Sequence, residues 1–184
     1  MIPKNATLAY KGDIFKVYTW EQKLFDGSYK TFETVTRKPT VQLIVVEDDK
    51  IVLLDEEAAT GERYISLPGG MVEWDENPEK AAERELLEET GMKASMEHYM
   101  REEHQGKIIW PTDYYICSDA KKIAEPTPEA GEKIKILKFD FDDFIEETQK
   151  KSFRNRFFSN HIRLLKAEGR LEEFKRRVMT TRNI

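Results

Sequence analysis

Apolar and polar positions along the first third of the chain follow strand periods. Residues 13–21 (DIFKVYTWE) alternate in part, and Asp26-Gly27 offers a hairpin turn before a second extended run at 30–37 (KTFETVTR). Residues 41–46 (VQLIVV) read as a buried strand. The polar turn Glu47-Asp48-Asp49 then leads into 50–54 (KIVLL). A short run at 64–67 (YISL) is stopped by Pro68-Gly69-Gly70. The period then changes to that of a helix over 78–90. Asn77 stands as N-cap, Pro78 at the first helical position, Glu79 near the positive end and Gly91 just past the C-terminus. Strand patterns return at 94–102, 108–117 and 133–141, and a helix is predicted over 142–150. The segment 125–131 (EPTPEAG) is a Pro-containing loop between two strands. Strands come in runs rather than in strict β-α alternation. An α+β fold or three-layer sandwich follows, rather than a doubly wound sheet.

Composition narrows the class. The 184 residues are 39% hydrophobic and 35% charged. No apolar run approaches the length of a membrane span, and the first residues lack the apolar stretch of a secretory signal. Cys117 is the only cysteine, which excludes an intrachain disulfide and a multi-cysteine zinc site. The three histidines, His98, His104 and His161, are scattered, and His98 and His104 read as surface residues. Any metal is therefore expected to be hard and held by carboxylate oxygen. The expected setting is cytoplasmic and reducing.

Charge is unevenly spread. Residues 150–184 hold eleven Lys and Arg against three Glu, a net +8, so residues 1–149 carry −13. Such a tail suits nucleic acid, or equally its own acidic body. Phe153, Phe157, Phe158, Ile162, Leu165, Leu171, Phe174 and Val178 recur at roughly helical spacing, which favours packing over a free arm, with Gly169 dividing two helices.

The stretch 70–92 (GMVEWDENPEKAAERELLEETGM) carries the chemistry. On a helical wheel Glu85, Glu88 and Glu89 share one face, with Ala82 and Leu86 turned to the core and Ala81 leaving room for an ion among the carboxylates. Like charges so placed repel, and a hard divalent cation, Mg2+ or Mn2+, relieves the repulsion. Glu-rich helices also occur as plain solvated faces, and Arg84 with Glu88 can be a surface pair. The wider spacing decides against that. Gly70, five residues, Glu76, seven residues, then Arg84-Glu85-Leu86-Leu87-Glu88-Glu89-Thr90-Gly91-Met92 resembles the Nudix box at every fixed position. Residue frequencies allow such a match by chance in about one chain per million.

The resemblance implies a Nudix-type α/β/α sandwich with a mixed sheet over 38–149, an N-terminal antiparallel strand extension over 1–37 and a C-terminal helical tail over 150–184. It implies a Mg2+- or Mn2+-dependent pyrophosphohydrolase acting on a nucleotide-derived substrate. By this resemblance Glu85, Glu89 and the Gly69 carbonyl are metal ligands. Glu88 is a further ligand or holds metal-bound water, while Glu76 and Arg84 brace the loop and orient the carboxylates. Gly70 permits close approach of the substrate. The N-terminal strands resemble those of ADP-ribose and nucleoside-diphosphate-sugar pyrophosphatases, which implies a homodimer and places Arg37 among substrate-binding residues. The same branch implies a general base on the late acidic loop, Glu129 or Glu132. Trp110, in Lys107-Ile108-Ile109-Trp110-Pro111, is a candidate to stack a base or to pack at a strand edge. Two other functions remain at this point: a nucleoside triphosphate or capped-RNA pyrophosphohydrolase, and a non-catalytic nucleotide sensor.

Overall fold

The computed structural model describes residues 2–103, 106–128 and 130–180. Two sheets organise it. The first has the order β1-β2-β3-β8, from β1 (Thr7–Lys11), β2 (Phe15–Lys23), β3 (Tyr29–Arg37) and β8 (Ile108–Ile109). The second runs β10-β5-β4-β9-β7, from β4 (Thr40–Glu47), β5 (Lys50–Ala58), β7 (Met92–Glu103), β9 (Pro111–Lys122) and β10 (Glu132–Phe139). β6 (Arg63–Ser66) pairs with the far half of β5. The helices are α1 (Pro78–Thr90), α2 (Phe141–Glu147), α3 (Arg156–Ala167) and α4 (Leu171–Met179).

β4 and β9 run parallel through the centre, so both faces are buried. Val41, Leu43 and Val45 face one cluster with Ala81, Ala82 and Leu86 of α1. Ile44 and Val46 face a second with Phe144, Phe158, Ile162 and Phe174 of the later helices. This is the expected α/β/α sandwich. Ala81 belongs to the first of these cores, fully buried, rather than leaving space among the carboxylates.

The elements differ most from the sequence pattern in four places, each for a physical reason. β1 is exposed along its whole length, so it carries no burial period to read. β5 continues through Asp55, Glu56 and Glu57, polar residues that end the predicted strand, because β6 and β10 flank it on both edges. The predicted strand 108–117 is two strands, parted at Trp110, where Pro111 offers no N–H and the chain crosses between sheets. α2 stops at Glu147: the Thr148 hydroxyl turns back to the Ile145 carbonyl at 2.7 Å, and the Thr148 carbonyl accepts from Ser159 at 2.6 Å.

The tail is docked as two helices, with Gly169 between them in the left-handed region at φ 68°. Phe153, Phe158, Ile162, Leu165, Phe174 and Val178 are buried. Phe157 is different, since it turns out of the core and lines a cleft. Before α3 the chain runs extended beside β6: the Ile65 amide donates to Ser152 O at 2.9 Å and the Arg154 amide to Ile65 O at 2.8 Å. No helix among the described residues is long and apolar enough to cross a membrane.

Candidate active site

The glutamate helix is set by its ends. Asn77 Oδ1 accepts from the amides of Glu79 at 2.8 Å and Lys80 at 3.4 Å, and Gly91 adopts φ 70° as its amide donates to Leu87 O. A side chain on Gly91 would meet the Ala124 carbonyl, because residues 123 and 124 bond back to the Gly91 carbonyl.

The preceding loop is stitched to β4. Leu43 N donates to Pro68 O and Val41 N to Gly70 O. The Gly69 amide between them turns the other way and donates to Glu89 Oε2 at 2.7 Å. Gly69 sits at φ 141°, and a Cβ there would lie 2.2 Å from Val41 O. At Gly70 the constraint is contact: a Cβ would lie 2.4 Å from Glu85 Oε1. The two glycines thus let the loop pass between β4 and the glutamates.

Arg84 ties the loop to the helix. Its Nε and one terminal nitrogen reach both oxygens of Glu76 at 3.1 Å, and it donates to Met71 O at 2.9 Å, Glu85 at 2.8 Å and Glu88 at 3.1 Å. The Glu76 bonds, then the neighbouring Glu85, raise its pKa further above an already basic value. Beside it, Glu89 is buried, and burial pushes its pKa well above the usual carboxylate range. The charges of Glu56, Glu85 and Glu132 add to that rise, against the lowering bond from Gly69.

These residues open onto a cleft of about 540 Å³, the size of ordinary small-molecule sites. It is lined by Gly69, Gly70, Arg84, Glu85, Glu88, Glu89, Glu132, Arg37 and Trp110, so the structure gathers the predicted site residues it describes. Glu129 lies outside the described residues, as does His104. Thr127 N donates to Glu88 O at 2.7 Å, which pins the late acidic loop to the end of α1. Glu125 on that loop pairs with Lys122 and is solvated. His98 is also off the site, half-exposed and bonded to Asp113 at 2.9 Å.

Sequence patterns missed three parts of this cleft. Glu56, in the polar stretch of β5, is buried and accepts from Ser66 Oγ; burial raises its pKa against that bond. Tyr114 lines the floor, stacked on Phe158 with centroids 5.8 Å apart. The tail supplies Arg154, Asn155, Arg156 and Phe157. Asn155 Oδ1 accepts from Leu67 N at 2.8 Å and its Nδ2 donates to Gln42, fixing the tail one residue before the Pro68-Gly69-Gly70 turn. The only available signal was the mixed character of 153–157, where basic residues interrupt the apolar stripe just before and at the start of α3.

Trp110 and Arg37 meet because their strands leave the first sheet together. Thr36 pairs with Ile109 there, and Thr40 pairs with Thr112 in the second sheet. The Arg37 guanidinium lies 4.1 Å over the Trp110 ring, whose edge meets Phe157. Trp110 therefore carries an arginine on one face.

The carboxylates are hard oxygen donors whose mutual repulsion fits a divalent cation. As they stand, with Arg84 holding Glu85 and Glu88, no group of three or more His, Cys, Asp or Glu among the described residues is spaced to cage an ion. The donor set fits such an ion in its chemistry.

A model of the NUDIX domain matches residues 36–160, most of the chain, and the protein belongs to the Nudix family. The domain makes it a pyrophosphate hydrolase. Among solved structures, one described as an ADP compounds hydrolase superposes with TM-score 0.69 at 18% identity, covering 91% of this chain and 95% of that one. No curated protein sequence matches the chain.

Proposed function

We propose that the protein is a Mg2+- or Mn2+-dependent pyrophosphohydrolase of a nucleoside diphosphate linked to another moiety, with ADP-ribose or an ADP-sugar as the first substrates to test. The observation that carries this is the sign division of one cleft. Glu85, Glu89, Glu56 and Glu132 act on one another at one wall, and Arg37 and Arg154 stand elsewhere in the same cleft. The structural likeness to an ADP compounds hydrolase supports the substrate class.

Glu85, Glu89 and the Gly69 carbonyl would hold the cation, and Glu88 would serve as a further ligand or orient water. When bound, the cation neutralises phosphate charge and lowers the pKa of the attacking water. Arg84 holds the carboxylates of Glu85 and Glu88 in line with the loop through Glu76 and Met71 O. Gly69 N–H keeps Glu89 turned into the cleft. Glu132, which opens β10 and lines the cleft, or Glu129, takes the proton of the attacking water. Trp110 supports the substrate-binding Arg37. The test is incubation with Mg2+ and a panel of ADP-ribose, ADP-glucose, GDP-mannose, NADH and nucleoside triphosphates, with products identified. Release of nucleoside monophosphate from the ADP derivatives is expected, and turnover of triphosphates alone would replace this reading with the triphosphatase one.

The working form in this proposal is a homodimer. On the first sheet Leu8 and Phe32 are exposed on one face and Tyr10, Phe15 and Tyr29 on the other, with Phe25 exposed in the turn between β2 and β3. A second copy would cover apolar side chains of this kind. Sedimentation showing a fully active monomer at micromolar concentration would remove the dimer.

A further inference from the structure

Three arginines outside the acidic wall line the cleft; Arg156 donates to the Lys150 and Lys151 carbonyls, and the other two are open to a ligand. Arg37 comes from the end of β3 and Arg154 from the docked tail. Each guanidinium is laid on an aromatic ring, Arg37 over Trp110 at 4.1 Å and Arg154 over Tyr64 at 4.3 Å. A ring under one face fixes the plane and leaves the N–H edge for a ligand. Arg154 gives one nitrogen to the Tyr64 hydroxyl. Its position is set by backbone, through the bonds of residues 152–154 to Ile65, and by Asn155 on Leu67. Arg37 Nε is buried and has no hydrogen-bond partner among the described residues. A buried donor in that state is costly until an acceptor arrives.

The electrostatics divide the cleft. Burial and the charge of Arg154 lower the pKa of Arg37, so the charge acting on it is a second cation. The charges acting on Glu89 are three carboxylates. Glu56 marks the boundary, since it raises Glu89 and is itself lowered by Arg154. Arg154 and Glu56 meet at the Tyr64 hydroxyl, whereas Arg37, faced by a cation and with its Nε unpartnered among the described residues, still needs an anion when a diphosphate is held on a cation at the acidic wall. Two planar, pre-fixed guanidiniums suit an oxyanion that accepts several N–H bonds at once.

We infer that Arg37 and Arg154 form an oxyanion subsite for a second anionic group of the substrate, a phosphomonoester or a carboxylate, beyond the diphosphate at the acidic wall. The inference rests on the pyrophosphohydrolase reading. It makes Arg154 the residue through which the tail sets specificity. The tail is then part of the active site, because the residue that selects the second anion is held there by tail docking.

Matched substrates that differ by one anionic group test this: NADPH against NADH, coenzyme A against its dephospho form, and UDP-glucuronate against UDP-glucose. In the wild type the anion-bearing member of at least one pair is expected to have kcat/KM higher by about tenfold, the scale of one charge-assisted contact. Arg154→Gln is expected to collapse that ratio to within about threefold, and Arg154→Lys to restore part of it. The pair that shows the preference tells phosphate from carboxylate. Wild-type ratios near unity in every pair would overturn the subsite. So would an Arg154→Gln loss that is equal for both members, which would place the arginine on the shared diphosphate. If no compound is hydrolysed with Mg2+ or Mn2+, the pyrophosphohydrolase reading has failed, and the subsite is judged by calorimetric titration of the metal-free protein with NADPH and NADH. Tighter binding of NADPH that is lost in Arg154→Gln upholds it; equal or absent binding removes it. Circular dichroism of both variants checks that they are folded.

Discussion

The acidic wall of the cleft and its arginine corner are built in opposite ways. The centre of the wall, Glu85, Glu88 and Glu89, comes from one loop and the helix that follows it, residues 67–91, with Glu56 of β5 and Glu132 of β10 joining it from outside. The bonds of that centre are local: Arg84 to Glu76, Glu85 and Glu88, and Gly69 to Glu89. The corner draws on β3, β6, the crossing at Trp110 and the tail, and it exists only when all four meet. A site made this way separates two demands. The part that must hold several like charges close together is braced within one short segment. The part that meets the variable end of a substrate depends on docking, where change in one element alters specificity and leaves the charged wall standing.

The sharpest way to break this comparison is to disarm the wall. Glu85→Gln or Glu89→Gln removes a charged ligand and keeps its volume, so turnover should fall by at least about 100-fold, beyond the usual cost of losing an outer partner. Melting should hold or rise in Glu89→Gln, since burial and then the neighbouring carboxylates disfavour the charged form there, whereas Glu85→Gln gives up its pair with Arg84. Wild-type-like rates in both variants at limiting Mg2+ would sink the metal assignment.

Next in size is the docking of the tail. Phe158 is fully buried among Tyr114, Phe144 and Phe174. Phe158→Ala should cost about 3–5 kcal/mol, read as a lower denaturation midpoint. Phe157→Ala, at the cleft against Trp110, should cost clearly less. Equal losses would mean that the two rings share one environment. Asn155→Ala leaves the Leu67 amide without its acceptor, which should cost about 1–3 kcal/mol. It should also raise KM, because the turn at Pro68 starts at that residue.

A smaller effect lies in the same docked face. His161 is bonded to Tyr99 at 2.7 Å, and burial, then Arg170, lowers its pKa below the usual imidazole value. Between its folded pKa and about 6.5 the unfolded chain binds more protons. Its contribution to stability is thus complete above that window and is lost as pH falls through it. His161→Gln should flatten the slope of melting temperature against pH there; an unchanged slope would assign it to other groups. Arg176→Ala, on an exposed face of α4, should change stability by less than about 0.5 kcal/mol. A large loss there would mean that charge, and not burial, seats the tail.

What could be read from the sequence was what short-range rules control. Asn77, Pro78 and Gly91 delimit α1 by local hydrogen bonding and φ preference. The spacing of Glu85, Glu88 and Glu89 follows from the helix pitch alone. The nearly continuous apolar run of 41–46 and the apolar stripe of the tail are likewise patterns that a chain carries in itself. Residues 13–37 were read as strands, though shifted by two at the start, because β2 is at most half-buried and has no fully buried face to fix its phase.

Tertiary structure decided everything that depended on a neighbour from elsewhere in the chain. Glu56 lies in a polar run just past the predicted strand 50–54, and it is buried only because β6 and β10 close on both sides of β5. Ala81 was placed among carboxylates by the wheel, but the sheet chose which side of α1 to cover. Arg37 lies on Trp110 because β3 with β8, and β4 with β9, cross between sheets in register. Arg154 reaches the cleft because its segment pairs with β6 rather than continuing a helix. Long-range pairing carries no period along the chain, so no local pattern records it. The glutamates of α1 were therefore legible from sequence, while Glu56 and the arginine corner became visible only once the fold had closed.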